Sequence, residues 1–307
     1  MKKDNINDLI NEALAIESKE AKEAGTIGYT ARAMIQATLP HSKIPGHVFK
    51  RTNGLFKLVM LADPEIGLPY GSIPRLLLAW IATEATRTKS PQLILGKTLT
   101  SFMQELTLSP TGGRFGTITS LKDQLQRLFS CSISCTYDNG KNWAIKNIQT
   151  VQEADLWWDT NNEILSSVVS TQGITTTDII KRDKNSNSTI VLNQNFFNEI
   201  VNNPVPIDMR VLKLLKRSPL ALDIYCWLTY RLSYLKRSTT IPWKVLLNQF
   251  GCGYPDDPRG RRDFKRAFLR ELKKVSLIYP QANIEPLEKG LFLNPSNTHI
   301  PRLPSKG

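Results

Sequence analysis

The same order of helical and strand-like words is laid out twice along this chain, and that repetition limits its fold more than any single motif. In the first pass, Ser72-Ile73-Pro74 opens an apolar helical pattern, RLLLAWIATEATR, centred on Trp80. Leu93-Ile94-Leu95 reads as a short strand, and the word from Thr100 to Leu106 as a second helix. A Gly-rich turn, SPTGGRFG, then leads into an amphipathic helix from about Thr117 to Phe129. CSISCTY and NWAIKNIQ follow on either side of Asp138-Asn139-Gly140-Lys141, and Asn-Gly between β-prone runs is a strong hairpin signal.

The second pass repeats this. Ser218 as N-cap and Pro219 in the first turn open LALDIYCWLTYRLSYLKR around Trp227. Thr239-Thr240-Ile241 is strand-like, and WKVLLNQF makes a short helix ending at Gly251, a residue suited to a C-cap. The turn GCGYPDDPRG leads to RRDFKRAFLRELKKV, and ANIEPLE and LFLNP enclose Lys289-Gly290 as a hairpin. Trp80 and Trp227 are 147 positions apart, and Thr117 and Arg261 are 144 apart, a spacing that unrelated insertions would not keep.

Helix, short strand, helix, turn, helix, hairpin is the order of a winged helix. The expected fold class is therefore α+β, with two tandem winged-helix domains at residues 50–150 and 190–300, mostly helical with short β-hairpin wings. The Ser-, Thr- and Asn-rich stretch 160–188 reads as a linker or excursion. Residues 1–30 read as a separate N-terminal helix with Ile6, Leu9, Ile10, Ala13 and Ile16 on one side, a stripe for packing or for self-association.

Charge separates the halves. Residues 210–274 carry 16 basic against five acidic side chains, an excess of 11 within a chain whose net charge is +13. A field concentrated in this way is the footprint of a polyanion. From Arg259 to Lys274, with 100° between successive residues, Phe264, Ala267, Phe268, Leu272 and Val275 fall on one face. Arg262, Lys265, Arg266, Arg270 and Lys273 fall around the other, with Arg259 and Arg261 at the start. Arginine suits base readout because its planar fork can grip guanine O6 and N7 together. The alternative, a solvated face, usually alternates sign, whereas this helix has only Asp263 and Glu271 among its bases.

The matching helix of the first half is quieter. Ile118, Leu121, Leu125, Leu128 and Phe129 make its core stripe and leave Thr119, Lys122, Asp123, Gln126 and Arg127 outside. Lys122, Gln126 and Arg127 are candidate DNA contacts, while Asp123 leaves a phosphate clamp and a protein contact equally open. Arg114, on the Gly-rich turn, is set to meet backbone phosphate, and that turn is expected to be flexible.

Several chemistries are excluded. Gly96-Lys97-Thr98 imitates the end of a phosphate-binding loop, but the first glycine of that motif falls on Pro91, and Leu93-Ile94-Leu95 reads as strand. No two histidines lie one residue apart to hold a metal beside a nucleophilic tyrosine. His299 and Arg302 are followed by no tyrosine that could attack a phosphate. Cys131, Cys135, Cys226 and Cys252 form no C-x-x-C pair, and they read as buried, reduced thiols of a cytoplasmic protein. The longest apolar run, Leu76 to Ala82, is far short of the ~20 residues a membrane helix needs. No catalytic constellation, metal or cofactor is expected.

The runs YGSIPRLLLAWIATEATRTKS, FMQELTLSPTGGRFGTITSLKDQLQRLFSCSIS, SPLALDIYCWLTYRLSYL, IPWKVLLNQFG and FKRAFLRELKKV resemble, in this order, the plasmid-encoded RepA-type replication initiators of bacteria. The resemblance spans roughly residues 55–296, and SPTGGRFGT with LDIYCWLTYRL are its most specific words. It implies a protein that binds directly repeated double-stranded origin DNA (iterons), helps open the origin, and brings in host initiator and replicative helicase. It also implies dimers, in which first domains meet and which repress the initiator's own promoter. A winged-helix transcriptional regulator without an initiation role is the alternative, and a DNA-processing enzyme would need a constellation the sequence lacks.

Overall fold

The computed structural model describes residues 25–36, 38–138, 140–141, 143–156 and 187–300, together with Leu9, Ala13, Ile16 and Ala21. The first part of the chain runs β1 (Ile27–Ala31), α1 (Arg32–Gln36), β2 (Val48–Asn53), β3 (Phe56–Leu61), α2 (Ser72–Thr88) and β4 (Gln92–Gly96). Next come α3 (Leu99–Glu105), α4 (Thr117–Ser130), β5 (Ser132–Asp138), β6 (Trp143–Gln149) and β7 (Val151–Asp155). Then follow β8 (Ser188–Leu192), α5 (Gln194–Asn202), β9 (Pro204–Asp208), α6 (Met209–Leu215) and α7 (Pro219–Leu232). The last elements are β10 (Thr239–Pro242), α8 (Trp243–Phe250), α9 (Pro258–Ile278), β11 (Ile284–Pro286) and β12 (Gly290–Leu293). The architecture is α+β.

The helix ends follow local chemistry. Ser218 Oγ accepts a hydrogen bond from Ala221 N (3.2 Å), with Pro219 beginning α7 as expected. Asp257 does the same for α9, accepting from Gly260 N at 2.6 Å ahead of Pro258. Gly251 caps α8 with φ of −91°, so no left-handed turn requires the glycine there. Space does: a Cβ would lie 2.4 Å from Leu247 Cδ1 and 2.8 Å from Leu247 O.

Two three-stranded sheets share one antiparallel topology, β4-β8-β7 in the first half and β10-β12-β11 in the second. Strand β8 is therefore the counterpart of β12, and the hairpin matching β11–β12 is β7–β8. The sequence instead points to residues 132–149 for that role. These do form a hairpin, β5–β6, with Asp138 Oδ1 accepting from Gly140 N at 2.9 Å inside the turn. Its partner, however, is β3, in a separate sheet of order β2-β3-β5-β6. The cause is apolar alternation along two neighbouring strands: Leu58 and Met60 of β3 pair with Cys135 and Ile133 of β5, and all four are buried. The stretch expected as a linker at 160–188 lies outside the described residues except at its end, where Ser188 opens β8.

The helical triads match as well. Trp80 of α2 stands edge-on to Phe102 of α3, ring centroids 4.9 Å apart. Trp227 of α7 meets Phe250 of α8 in the same way at 5.5 Å. Each half begins with a strand running into a short helix, β1–α1 and β9–α6, and those two strands pair antiparallel from Ile27↔Asp208 to Ala31↔Pro204. Equivalent strands pairing head to tail is what an approximate two-fold axis between the halves produces.

Packing places the boundary between the cores later than expected. Ile190 and Leu192 of β8 and Phe196 and Ile200 of α5 join the first core, so the second begins at β9 and not at residue 190. Ala13 and Ile16 are buried in the second core with Leu9 packed against it, while Ile6 and Ile10 lie outside the described residues. The described residues of the N-terminal stripe are thus covered by the protein itself.

Candidate nucleic-acid interface

Helix α9 is fixed from beneath by aromatic rings. Phe268 contacts Trp243 (5.9 Å between centroids), Phe250 (5.6 Å) and Phe264 (5.6 Å), and Tyr254 of the α8–α9 turn stands edge-on to Phe264 at 5.7 Å. Phe264, Ala267, Phe268, Leu272 and Val275 are all buried, the face the helical spacing marks out. Each large side chain so buried contributes about 1.5–3 kcal/mol, which holds the opposite face in a fixed orientation.

That face carries Arg259, Arg261, Arg262, Arg266, Arg270 and Lys273, all exposed. Lys265 departs from the expectation. It is half-buried, with Nζ 4.8 Å over the Trp243 ring and donating to Glu288 O at 3.2 Å. It ties the β11–β12 hairpin to α9, and Trp243 Nε1, donating to Leu287 O at 3.0 Å, ties the same hairpin to α8. Lys289 at the hairpin tip and Lys244 on α8 are exposed beside this region, and sequence periodicity does not single them out.

Acidic partners hold most of the arginines. Arg261 Nε donates to Asp256 Oδ1 at 2.6 Å, Arg266 Nη2 to Asp263 Oδ1 at 2.9 Å, and Arg270 Nε to Glu271 Oε1 at 2.8 Å. Burial would push the Glu271 carboxyl up, but Arg270, Lys274 and Ser218 outweigh it and hold it below the ordinary glutamate value. The Arg261 hydrogen bond likewise lowers Asp256. Arg262 and Lys273 have no ion pair among the described residues. Exposed ion pairs contribute only about 0–1 kcal/mol, so Arg261 and Arg266, whose acidic partners are open to solvent, can exchange a carboxylate for a phosphate or a base at little cost.

The first half differs in character. The SPTGGRFG turn is closed by hydrogen bonds rather than loose. Thr117 N donates to Thr111 Oγ1 and Thr111 N to Thr117 Oγ1, each at 2.9 Å, while Thr117 Oγ1 donates to Ser109 O at 2.6 Å. Arg114 is exposed at its tip, its guanidinium 5.6 Å from the ring of Phe115, which is itself 91% exposed. Lys122 and Gln126 are half-buried on α4.

Arg127 is turned inward, contrary to its expected role as a DNA contact. Its side chain is only 12% exposed, with Nε 2.9 and 2.8 Å from the two oxygens of Asp123. The guanidinium lies 5.6 Å from the Tyr70 ring. The i,i+4 carboxylate draws the arginine down along its own helix. The most exposed candidates of the two halves lie on different parts: along α9 in the second, at the turn before α4 in the first.

The fold defined by these paired cores resembles that of RctB domains 2 and 3. A crystal structure of those domains matches with a TM-score of 0.50 at 12% identity, over 85% of this chain and 94% of that one. A selenomethionine derivative of the same domains gives a TM-score of 0.52 at 13% identity, over 86% and 96%. At such identity the likeness is one of fold. No match is found among curated proteins. Residues 68–244, more than half of the 307-residue chain, match the family described as plasmid encoded RepA protein, and the chain belongs to that family. The matched span runs from before α2 to the start of α8 and leaves α9 to be judged on its own geometry. Among the described residues no helix is long and apolar enough to cross a membrane.

Proposed function

We propose that this protein is a plasmid replication initiator that binds repeated double-stranded origin DNA through two winged helices, with α9 as the principal reading helix and without catalysis of its own. The winged-helix assignment rests on topology: three helices, a strand between the first two, and a terminal hairpin paired with that strand. In the second half these are α7, α8 and α9 with β10-β12-β11. In the first they are α2, α3 and α4 with β4-β8-β7, the β5–β6 hairpin being an addition. The observation that carries the reading is the α9 face, six exposed basic side chains on a helix anchored by two buried phenylalanines.

In this account Arg262 and Lys273 are free to meet DNA at once, and Arg259, Arg261, Arg266 and Arg270 release their carboxylates to do so. Arg114 meets phosphate from the first-half turn, and Lys122 and Gln126 do so from α4. The host initiator, the replicative helicase and a homodimeric state enter through the RepA family, as does cytoplasmic action, and that membership favours initiation over plain transcriptional regulation. Footprinting on the plasmid's own origin tests the proposal. Protection of tandem repeats supports it, and protection confined to a single promoter operator supports the regulator instead.

A further inference from the structure

A cleft of about 520 Å³ opens between β2 and α8, lined among others by Phe49, Arg51, Asn248, Cys252 and Tyr254. It lies where the two cores meet, since Phe49 belongs to the first and Leu247 and Phe250 to the second. Cys252 follows the Gly251 cap of α8, lines this cleft and is only partly buried.

Two residues distant in sequence, His41 and Arg51, influence that thiol. The His41 side chain acts on it electrostatically. His41 is in turn held by Asp223, Nε2 to Oδ2 at 2.7 Å, and Asp223 is clamped by Arg75. From the other side comes Arg51, 8% exposed, with Nε and Nη2 both buried and without a hydrogen-bond acceptor among the described residues. Its guanidinium charge acts on Cys252. A buried donor left unsatisfied costs about 1–3 kcal/mol, so this pair of N–H groups marks a place where an anionic oxygen would be welcome. The surroundings of Cys131 and Cys226 differ. Burial pushes Cys131 and Cys226 up to about 12, whereas at Cys252 His41 and Arg51 overcome burial and bring the thiol down to about 7.

We propose that Cys252 is a site of oxidation by hydroperoxides, and that Arg51 holds the resulting sulfenate. The thiolate sulfur attacks the terminal oxygen of the peroxide, an S–O bond forms and the O–O bond breaks. The departing alkoxide or hydroxide takes the proton of the new sulfenic acid, leaving a sulfenate and an alcohol or water. Sulfur loses two electrons and the peroxide gains them. The new oxygen supplies an acceptor in the cleft that Arg51 also lines, where the Nε and Nη2 donors of Arg51 lack one.

The test treats the full chain with hydrogen peroxide at neutral pH in the presence of dimedone and locates the adduct by mass spectrometry. Labelling at Cys252 at least tenfold above Cys131, Cys135 and Cys226 is expected, as is its loss in Cys252→Ser. Arg51→Lys, which keeps the charge but removes the fork, should shorten the lifetime of the sulfenate. If that variant does not fold, the labelling pattern of the unaltered chain decides. Equal labelling of all four cysteines, or none at Cys252 while the denatured chain labels there, would overturn the proposal, as would an unchanged sulfenate lifetime in folded Arg51→Lys.

Discussion

Arg75 in α2 grips Asp223 in α7 through two hydrogen bonds of 2.7 Å, Nε to Oδ1 and Nη2 to Oδ2. The remaining N–H groups of the arginine donate to the backbone oxygens of Leu39, Pro40 and Gly71, so all five of its donors are used. The two residues are 148 positions apart, close to the offset that relates Trp80 to Trp227. Near-equivalent positions of the two halves therefore meet at their junction, one basic and one acidic.

Both side chains are about nine-tenths buried, at 8% and 10% exposure. Breaking such a pair by removing one partner typically costs about 3–5 kcal/mol, because the other charge is left buried and alone. Asp223→Ala should lose that much in denaturant unfolding. Removing both charges together, as Arg75→Met with Asp223→Leu, should cost clearly less than the sum of the single changes. Additive losses would mean that the two side chains act independently.

Acid should find the same pair. Burial alone would raise the Asp223 carboxyl, but Arg75 and His41 outweigh it and hold it below the usual aspartate value. A carboxyl lowered by folding stabilises the native state fully above its unfolded value of about 3.9 and progressively less as pH falls through the folded one. The stability gap between the unaltered protein and Asp223→Asn should accordingly stay open above about pH 4 and close below it. A gap that persists into strong acid would deny the carboxylate this role.

The helices of both halves, the cap at Ser218 and the buried face of α9 could be read from the sequence because each is a local pattern. Strands β2 and β3 were missed because KRTNGLFK offers little apolar alternation until Leu58 and Met60 find Cys135 and Ile133. The β7–β8 pair was missed for a different reason. Its strands are separated by more than thirty residues, and the Asn-Gly turn nearby supplies a stronger local signal for a different hairpin. At the site, periodicity gave the basic face of α9 but not the pairing of Arg261 with Asp256, which precedes the helix. It also set Arg127 outward, because a helical wheel does not register the pull of Asp123 and Tyr70.

Arg127 should thus matter for folding. Arg127→Ala removes an arginine that packs on Tyr70 and bonds Asp123, and a loss of about 1–3 kcal/mol in stability is expected, the range for leaving a part-buried polar partner unsatisfied. DNA affinity of the folded fraction should be unchanged. A uniform drop in affinity with intact stability would return Arg127 to the interface.

The buried N-terminal stripe makes a similar prediction. Ile16, 6% exposed, sits in the second core, and Ile16→Ala should cost about 2–5 kcal/mol without altering the sedimentation mass. A shift in the monomer–dimer balance at unchanged stability would make the stripe an association surface.

Binding to origin repeats should weaken steeply with salt, since each lysine or arginine that meets a phosphate displaces a counterion. With ~6–8 phosphate contacts the log–log slope should be about −5 to −7. A flat response between low and moderate salt would argue against the basic face.

The most direct test of α9 as the reading helix is the affinity of Arg262→Ala for cognate and scrambled repeats, measured by fluorescence anisotropy at one salt concentration. Arg262 is exposed and has no ion pair among the described residues, so its loss should leave the fold intact. If it makes a two-pronged base contact, the cognate site should lose about 1–3 kcal/mol and the scrambled site much less. Equal loss on both DNAs, or no loss on either, would contradict the assignment of α9 as the helix that reads sequence.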